Sequence, residues 1–487
     1  MLAGTPFLFR AGPLRGFVRA LPACPDLARL VQAVPEREPV VWLDSARTHP
    51  VTGRWSMVGL DPWLTLQADG DRVELATSAS TKRFRAHPLE ALGSVLKRYR
   101  VPARARPEDK ALGLMGWLSY DLNRWIERLP APQAEPDPLP DLFWYGMRVV
   151  ALADHLAGRG WILSLADPHL APAQAGRLAR ASLERAEEAL AGPAPEEPAG
   201  GGPAACEPTS TQAEFQDMVR RVLEDIAAGE IFQANVSQRF TASWPGGAWP
   251  LYRRLRRINP SPFACFLRGG PGGEVAVASC SPERLVRVQD DRVDTRPIAG
   301  TRPRGGSAQE DALREFELLL SEKERAEHIM LVDLARNDLG RVARPGTVAV
   351  NELMALEHYS HVIHIVSDVA ARLKRGAGAV DVIRAVFPGG TITGCPKVRC
   401  MQILRELEPV PRGLYTGSLG WLGFDGSLDL NIAIRTMVLR ARRLSFHVGA
   451  GIVADSDPER EYQETLDKGA ALIAALEPSE TDHAAAR

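Results

Sequence analysis

The chain has 487 residues, of which 45% are hydrophobic and 24% charged, the balance of an ordinary globular protein. Its 59 basic and 60 acidic residues nearly cancel, so charge gives no support for a nucleic acid or a membrane surface as the main partner. The six cysteines form no CxxC pair, and no charge-free stretch reaches membrane-spanning length, which predicts a cytoplasmic protein in a reducing compartment.

The length exceeds the usual size of a single core, so we expect one very large domain or two closely joined ones. Residues 191–208 are rich in proline, glycine and alanine, a composition typical of a linker. The predicted division is an amino-terminal region over residues 1–190, this linker, a second domain over 209–478 and a tail over 479–487.

The amino-terminal region begins with a predicted strand and turn rather than a signal peptide. Further strands are predicted at residues 40–46 and 142–154, and a helix over residues 170–190. Past the linker, Thr211 and Glu214 form a capping box that opens a helix, which Gly229 can end.

The next run, residues 231–240, alternates as a strand does. Its polar face carries Gln233, Asn235 and Ser237, and either lies at the surface or lines a polar cavity; the pattern alone favours the surface. Later elements are a hairpin turn at Asp290 and Asp291, one long helix over residues 310–337, three strands over 414–455 and a last helix near Pro458. This order predicts an α+β fold with a largely antiparallel sheet.

Two ExxE pairs could carry chemistry, Glu324 with Glu327 and Glu461 with Glu464. On a helix, each pair projects both carboxylates from one face, and such hard oxygen ligands suit Mg²⁺. The alternative is a solvated helix face with ordinary ion pairs, which is the commoner case for either pair alone.

Glycines also mark two segments. Residues 387–397 could hold an anion at a helix start, but Cys395 stands where a nucleotide phosphate loop needs lysine. Residues 449–451 end a predicted strand, where small residues permit either close approach to a ligand or a simple bend. The strand-like alternation after Tyr359 places His361 and His364 on opposite faces, which argues against a three-histidine metal site.

Seven strings after the linker, in one order, resemble the chorismate-binding enzyme family. They are IFQANVSQRF (231–240), SPERL (281–285), PIAGTRPRG (297–305), KERAEHIMLVDLARNDLGRV (323–342), GGTITGCPKVRCM (389–401), DLNIAIRT (429–436) and GAGIVADSDPEREYQET (449–465). Residues 42–62 and 116–130 resemble, more weakly, the amino-terminal part of the large subunits of anthranilate and aminodeoxychorismate synthases. The resemblance implies one intertwined α+β unit with a large, mostly antiparallel β-sandwich core and surrounding helices.

The resemblance also implies roles for individual residues. Glu327 and Glu464 would bind Mg²⁺, supported by Glu324 and Glu461, and Glu283 would be the general acid for the leaving C4 hydroxyl of chorismate. The enolpyruvyl carboxylate would be bound by Arg435, Tyr415 and the backbone of Gly449, Ala450 and Gly451. The remaining residues assigned to the ring and substrate site are Gln233, Ala299, Gly300, Thr301, His364, Thr391 and Lys468.

Two reactions of the family remain as candidates, amination at C4 and the anthranilate synthase reaction. Gln233 stands where water-adding relatives have lysine, so addition of ammonia is favoured. IFQAN and TITGCPKVRCM resemble aminodeoxychorismate synthases, which favours amination at C4, whereas Ala299 stands where many of those enzymes have a nucleophilic lysine and matches anthranilate synthases. No glutaminase module is recognisable, so a separate glutamine amidotransferase subunit is expected to supply ammonia.

Overall fold

The computed structural model describes residues 6–49, 51–103, 106, 110–193, 204–305, 307–358 and 362–477. Its strands are β1 (Phe7–Ala11), β2 (Leu14–Leu21), β3 (Val40–Asp44), β4 (Trp55–Asp69), β5 (Arg72–Thr77), β6 (Thr81–Arg85), β7 (Gly113–Leu118), β8 (Leu142–Asp154), β9 (Arg159–Ala166), β10 (Glu207–Pro208), β11 (Gln233–Ser243), β12 (Phe263–Arg268), β13 (Val275–Ser281), β14 (Arg284–Gln289), β15 (Arg292–Thr295), β16 (Ile298–Pro303), β17 (Ala349–His358), β18 (Val362–Arg372), β19 (Gly394–Cys395), β20 (Ser418–Gly423), β21 (Leu428–Asn431), β22 (Thr436–Arg440) and β23 (Arg443–Ile452).

The helices surround these strands. They are α1 (Ala28–Ala33), α2 (Pro88–Arg98), α3 (Pro172–Ala191), α4 (Gln212–Ala227), α5 (Ala248–Ile258), α6 (Ala308–Leu320), α7 (Glu322–Gly340), α8 (Ala379–Val386), α9 (Lys397–Leu407) and α10 (Pro458–Ala474). None of the helices within the described ranges combines the length and the apolar composition that crossing a membrane requires.

Strand β8 shows how the layers are arranged, since all 13 of its residues are buried. Val150 and Leu152 belong to one hydrophobic cluster, whereas Val149 and Ala151 belong to another. Because alternate side chains of a strand point to opposite faces, the sheet has a core on each side. All strand pairings among the described residues are antiparallel, as in β3 with β4 and β8 with β9. The predicted α+β fold with an antiparallel sandwich core and surrounding helices is confirmed.

The two parts of the chain share sheet hydrogen bonds. Strand β3 pairs with β12, and β7 pairs with β20, so strands from before and after the predicted linker belong to one network. Helix α3 reaches the start of that linker, β10 lies at its end, and residues 194–203 and 479–487 lie outside the described residues. The division into domains stays a prediction.

Two element predictions are wrong. The single helix over residues 310–337 is two helices, α6 and α7, because Ser321 adopts an extended conformation and its hydroxyl accepts a hydrogen bond from the Glu324 amide as the cap of α7. The three strands predicted over residues 414–455 are four, since Arg435 has a positive φ of 52° in the segment that separates β21 from β22.

The surface interpretation of the polar strand face is also wrong. Gln233, Asn235 and Ser237 on β11 are only 5%, 8% and 3% exposed. The opposite face of β11 packs against helices α4 and α9, while β23 pairs along its edge. Buried acceptors satisfy part of the polar face, since the Ser237 hydroxyl donates to Glu408 Oε1 over 2.8 Å. The polar side chains therefore line the interior.

Candidate active site

Glu283 lies between β13 and β14 in an enclosed position. The Thr391 hydroxyl donates a hydrogen bond to its Oε1 over 2.8 Å, and a cavity of about 30 Å³ adjoins it, lined mainly by apolar side chains of α7 and the 389–391 turn. Burial raises the pKa of Glu283 to about 7, although the hydrogen bonds from Thr391 and the Ile298 backbone favour ionisation. A carboxyl group with this pKa can hold and release a proton near neutral pH.

Arg435 presents a positive charge without a counter-ion. It is half-buried, and no ion pair or hydrogen bond to its guanidinium is found among the described residues. Burial lowers its pKa, while the nearby Tyr415 hydroxyl favours its charge. Because a buried charge without a partner is costly, and a guanidinium matches a carboxylate, Arg435 is suited to bind an anionic group of a ligand.

Tyr415 and Asn235 face the glycines of β23. A Cβ atom at Gly449 would lie 2.7 Å from Tyr415 Oη and 2.9 Å from Asn235 Nδ2, so these polar atoms come close to the backbone only because residue 449 has no side chain. Asn235 Nδ2 is buried without a hydrogen-bond partner within the described ranges. The Tyr415 ring stacks on His447, with centroids 5.2 Å apart.

Gly449, Ala450 and Gly451, the three predicted residues on β23, lie on alternate faces of the strand. Ala450 is fully buried in the apolar cluster between α4 and α9, so only its backbone can serve a ligand. Gly449 lies toward the polar side, where its carbonyl accepts a hydrogen bond from Lys468 Nζ over 3.1 Å. A Cβ atom at Gly451 would lie 2.9 Å from Gln233 Nε2. The edge of β23 beyond Phe446 has no β22 partner, which leaves it accessible to a ligand.

Four predicted carboxylates lie on α7 and α10, near enough for their charges to interact. The Gln233 amide donates to Glu327 Oε1 over 2.6 Å, and Arg302 lies 3.0 Å from Glu324. Lys468 lies 2.6 Å from Glu464. Burial raises the pKa of Glu327, and the neighbouring charges of Glu324 and Glu464 raise it further. The neighbouring cations of the protein therefore do not fully compensate the negative charge of these carboxylates.

Glu461 completes the acidic group from a more enclosed position. Its Oε1 accepts a hydrogen bond from the Ser456 hydroxyl over 2.6 Å, whereas its Oε2 is buried without a partner in the described part of the chain. Burial raises its pKa, and the charge of Glu464 adds to this.

The arrangement of these carboxylates bears on metal binding. Within the described ranges, no three His, Cys, Asp or Glu side chains lie close enough together to hold a metal ion. Each of the four carboxylates instead has a hydrogen-bond or ion-pair partner in the protein. Their oxygen chemistry, their mutual repulsion and the unpartnered Oε2 of Glu461 fit a hard divalent cation.

The predicted ring site is built on β16 and β18. His364 Nδ1 lies 3.4 Å from the Gly300 carbonyl, and burial lowers the pKa of His364 to about 4, so the ring is neutral at neutral pH. Gly300 has a φ of 68°, and a Cβ atom there would lie 3.0 Å from Glu324 Oε2. Ala299 is half-buried opposite Ile365.

Thr301 pairs with His364 through its backbone, and its side chain lies outside what the structure describes. The remaining predicted residues are thus brought into one region, with Glu283 and Thr391 at one end and the carboxylates of α7 and α10 at the other. Helix α7 spans both ends, because Glu327 and the cavity residue Leu331 lie one turn apart.

Sequence reasoning did not assign Asn235 and Ser456 to the site. Asn235 shares a strand face with Gln233, and that alternation was the available signal. Ser456 had no comparable signal, because its contact with Glu461 depends on the turn between β23 and α10.

Comparisons with known proteins identify the family of this chain. Residues 40–474 match the model of the chorismate binding enzyme family. The anthranilate synthase component 1 of Thermus thermophilus is 41% identical over 91% of this chain and 94% of its own length. The aminodeoxychorismate synthase component 1 of Bacillus subtilis is 40% identical over 91% and 92%. An anthranilate synthase component I-like protein of Synechocystis is 46% identical over 75% and 73%.

Two solved structures are similar in fold. The anthranilate synthase component I of Streptococcus pneumoniae aligns with a TM-score of 0.77 at 31% identity, covering 88% of this chain and 94% of that one. The menaquinone-specific isochorismate synthase of Escherichia coli aligns with a TM-score of 0.73 at 18% identity over 98% and 96%, a likeness of fold alone.

Proposed function

The chain belongs to the chorismate-binding enzyme family, and we propose that it is component I of an aminodeoxychorismate synthase. In this reaction chorismate and ammonia give 4-amino-4-deoxychorismate and water. The C4 hydroxyl leaves as water, nitrogen is placed at C4, and the enolpyruvyl group stays on the ring.

The observation that carries the proposal is the state of Glu283. Hydroxide is a poor leaving group, so the C4 hydroxyl must receive a proton as its bond to the ring breaks. Glu283 has a pKa of about 7 because it is buried, and Thr391 fixes the orientation of its carboxyl group. Glu283 is therefore the proton donor in this step.

Anion binding places the substrate against that acid. Arg435, whose guanidinium has no protein partner in the described residues, would bind the enolpyruvyl carboxylate together with the Tyr415 hydroxyl and the open edge of β23. Glu327 and Glu464, supported by Glu324 and Glu461, would hold Mg²⁺, which supplies charge neutralisation for the ring carboxylate. Neutral His364 lines the ring face.

The choice of ammonia over water rests on Gln233. An amide cannot act as a base toward water, and its Nε2 already donates to Glu327. The choice of C4 over C2 rests on the strings around Gln233 and Thr391 that resemble aminodeoxychorismate synthases. Asn235, part of that difference, lies beside Tyr415 in the site with an unpartnered amide.

One residue favours a second function, anthranilate synthase component I. Ala299 has no nucleophile, so a covalent route through this position is closed, and either ammonia adds directly or another nucleophile serves. If ammonia adds at C2 and pyruvate is then eliminated, the product is anthranilate. Relatives of both names match this chain to a similar extent.

A glutamine amidotransferase subunit is the proposed source of ammonia. The relatives from Thermus thermophilus and Bacillus subtilis are each named component 1 of their enzymes. We expect free ammonium at raised pH to replace this partner, because the ring chemistry belongs to this chain.

The test incubates the purified chain with chorismate, Mg²⁺ and ammonium chloride and identifies products by mass spectrometry, with and without aminodeoxychorismate lyase. Aminodeoxychorismate that becomes 4-aminobenzoate only when the lyase is added is the expected result. Anthranilate and pyruvate formed without the lyase would establish the second function. No consumption of chorismate would overturn both.

A further inference from the structure

Arg412 is a buried charge in the loop between α9 and β20, with 1% of its side chain exposed. Its guanidinium makes two hydrogen bonds to the Glu408 carboxylate, of 2.8 and 2.7 Å. The same group donates to the Ile392 carbonyl over 3.0 Å and to the Asn235 carbonyl over 2.5 Å. One side chain therefore links three separate segments of the chain.

Two of the linked segments, and the segment of Arg412 itself, carry residues of the candidate site. Ile392 directly follows Thr391, which donates to the general acid Glu283. Asn235 is two residues from Gln233, the partner of Glu327. Tyr415 follows Arg412 by three residues, and the guanidinium lies 5.7 Å from its ring centroid.

We infer that Arg412 is a positioning residue, which holds the Thr391 turn, strand β11 and Tyr415 in the relative arrangement that the reaction requires. It does not line the Glu283 cavity, so it acts through the segments it binds. The inference rests on the proposed function, because the arrangement matters only if Glu283 and Tyr415 act on a substrate.

Arginine is suited to this task in a way that lysine is not. Its planar fork supplies five donors in fixed directions, and four different acceptor groups use them here: Glu408, Ile392, Asn235 and, over 3.3 Å, the Thr416 hydroxyl. Burial disfavours its charge, but the Glu408 carboxylate more than offsets this and raises the pKa of Arg412 above its ordinary value. The guanidinium also lies 4.8 Å from the Tyr120 ring centroid, which restricts its movement.

The test compares Arg412→Lys with Arg148→Lys. Arg148 is also buried, and it pairs with Asp61 and Asp167 in the amino-terminal part of the sheet, away from the site. Both variants should lose thermal stability. Only Arg412→Lys should lower kcat for chorismate consumption, by about 100-fold, the effect expected when catalytic groups shift by about 1 Å.

The pH profile separates positioning from stability. The Thr391 hydrogen bond lowers the pKa of Glu283, so displacing Thr391 should raise that pKa and move the alkaline limb of kcat/KM to higher pH. Thr391→Val should cause the same shift, and Arg412→Lys combined with Thr391→Val should shift the limb no further. If Arg412→Lys does not fold, Glu408→Gln, which weakens the same contacts, should show the same shift.

A second readout needs no substrate. The unfolding free energy of the wild-type chain depends on pH partly through Glu283, and Glu283→Gln removes that part. The difference between the two proteins therefore reports the pKa of Glu283. A wild-type chain that consumes no chorismate would overturn the proposed function. An Arg412→Lys variant with the wild-type pKa of Glu283 by this measurement, or with wild-type kcat and pH limb, would overturn the inference.

Discussion

The two ends of the candidate site use the same chemical group in opposite ways. Glu283 is enclosed, no cation of the described residues contributes to its pKa, and burial raises that pKa to about 7. Glu464 at the other end has a side chain that is 48% exposed and lies 2.6 Å from Lys468. One glutamate is therefore placed to hold a proton near neutral pH, whereas the other is solvated beside a cation.

The difference shows that residue type alone does not assign a role to a carboxylate. The surroundings differ: Glu283 lies among apolar side chains and accepts a hydrogen bond from the Thr391 hydroxyl, whereas Glu327 and Glu464 have cations and other carboxylates nearby. Variants that alter one end should therefore leave a distinct signature from variants that alter the other.

The largest effect is expected for Glu283→Gln. The amide keeps the shape of the carboxyl group but cannot donate a proton to the leaving hydroxyl, so kcat should fall by about 10² to 10⁴. Chorismate binding, measured by calorimetry, should stay within a few-fold of wild type. Glu187→Gln, which alters a largely buried glutamate paired with Arg19, serves as the control. Wild-type kcat in the Glu283 variant would remove it from the mechanism.

The same variant should alter how stability depends on pH. The folded pKa of Glu283, about 7, lies above its ordinary value of 4.5, so the folded state binds more protons between these values. Wild-type stability should therefore fall as pH rises from about 4.5 to about 7, by up to about 3 kcal/mol, and Glu283→Gln should lack this loss. Denaturant titrations of both proteins from pH 4 to pH 9 measure the difference. Parallel curves across this range would mean that Glu283 is not buried as described.

At the opposite end, Glu327→Gln should weaken the response to Mg²⁺. Removing one carboxylate takes away a proposed ligand, so the Mg²⁺ concentration for half-maximal rate should rise by about 10- to 100-fold. Mutation of residues that only support a metal ligand already weakens metal binding by about this much. Glu459→Gln, on the exposed side of α10, is the matched control and should leave this concentration unchanged. An unaltered Mg²⁺ response in Glu327→Gln would contradict the assignment of the acidic group.

The smallest effect is a shift in pH limbs. The Gln233 hydrogen bond lowers the pKa of Glu327, so Gln233→Leu should raise that pKa and move the acid limb of kcat/KM upward by about one pH unit or less. Thr391→Val should move the alkaline limb instead. Both profiles are measured at a constant concentration of free ammonia, because total ammonium would add its own pH dependence. Shifts of the same limb in both variants would erase the distinction between the two ends.

The sequence predicted the elements that depend on local signals. The capping box at Thr211 and Glu214 does open α4, and the hairpin turn at Asp290 lies between β14 and β15. Motif strings likewise singled out Glu283, Arg435 and both ExxE pairs, whose roles stay predictions. These features are short-range, so the residues that specify them are close together in the chain.

Errors occurred where a local pattern had more than one solution. The helical pattern over residues 310–337 continues through Ser321, but its hydroxyl caps α7 and the helix breaks there. The strand pattern past Asn431 ends because Arg435 takes a positive φ, which the sequence does not reveal.

Composition and motifs by themselves determined the fold class, the family and most of the candidate site residues. The tertiary structure decided which of those residues are buried, what they contact and therefore how they are charged. The polar face of β11 became an interior surface because Glu327 and Glu408, from distant segments, contact it, and Arg412 became a link between three segments because residues 235, 392 and 408 meet around it. Burial and long-range contacts set these properties, and they arise only when distant parts of the chain pack together.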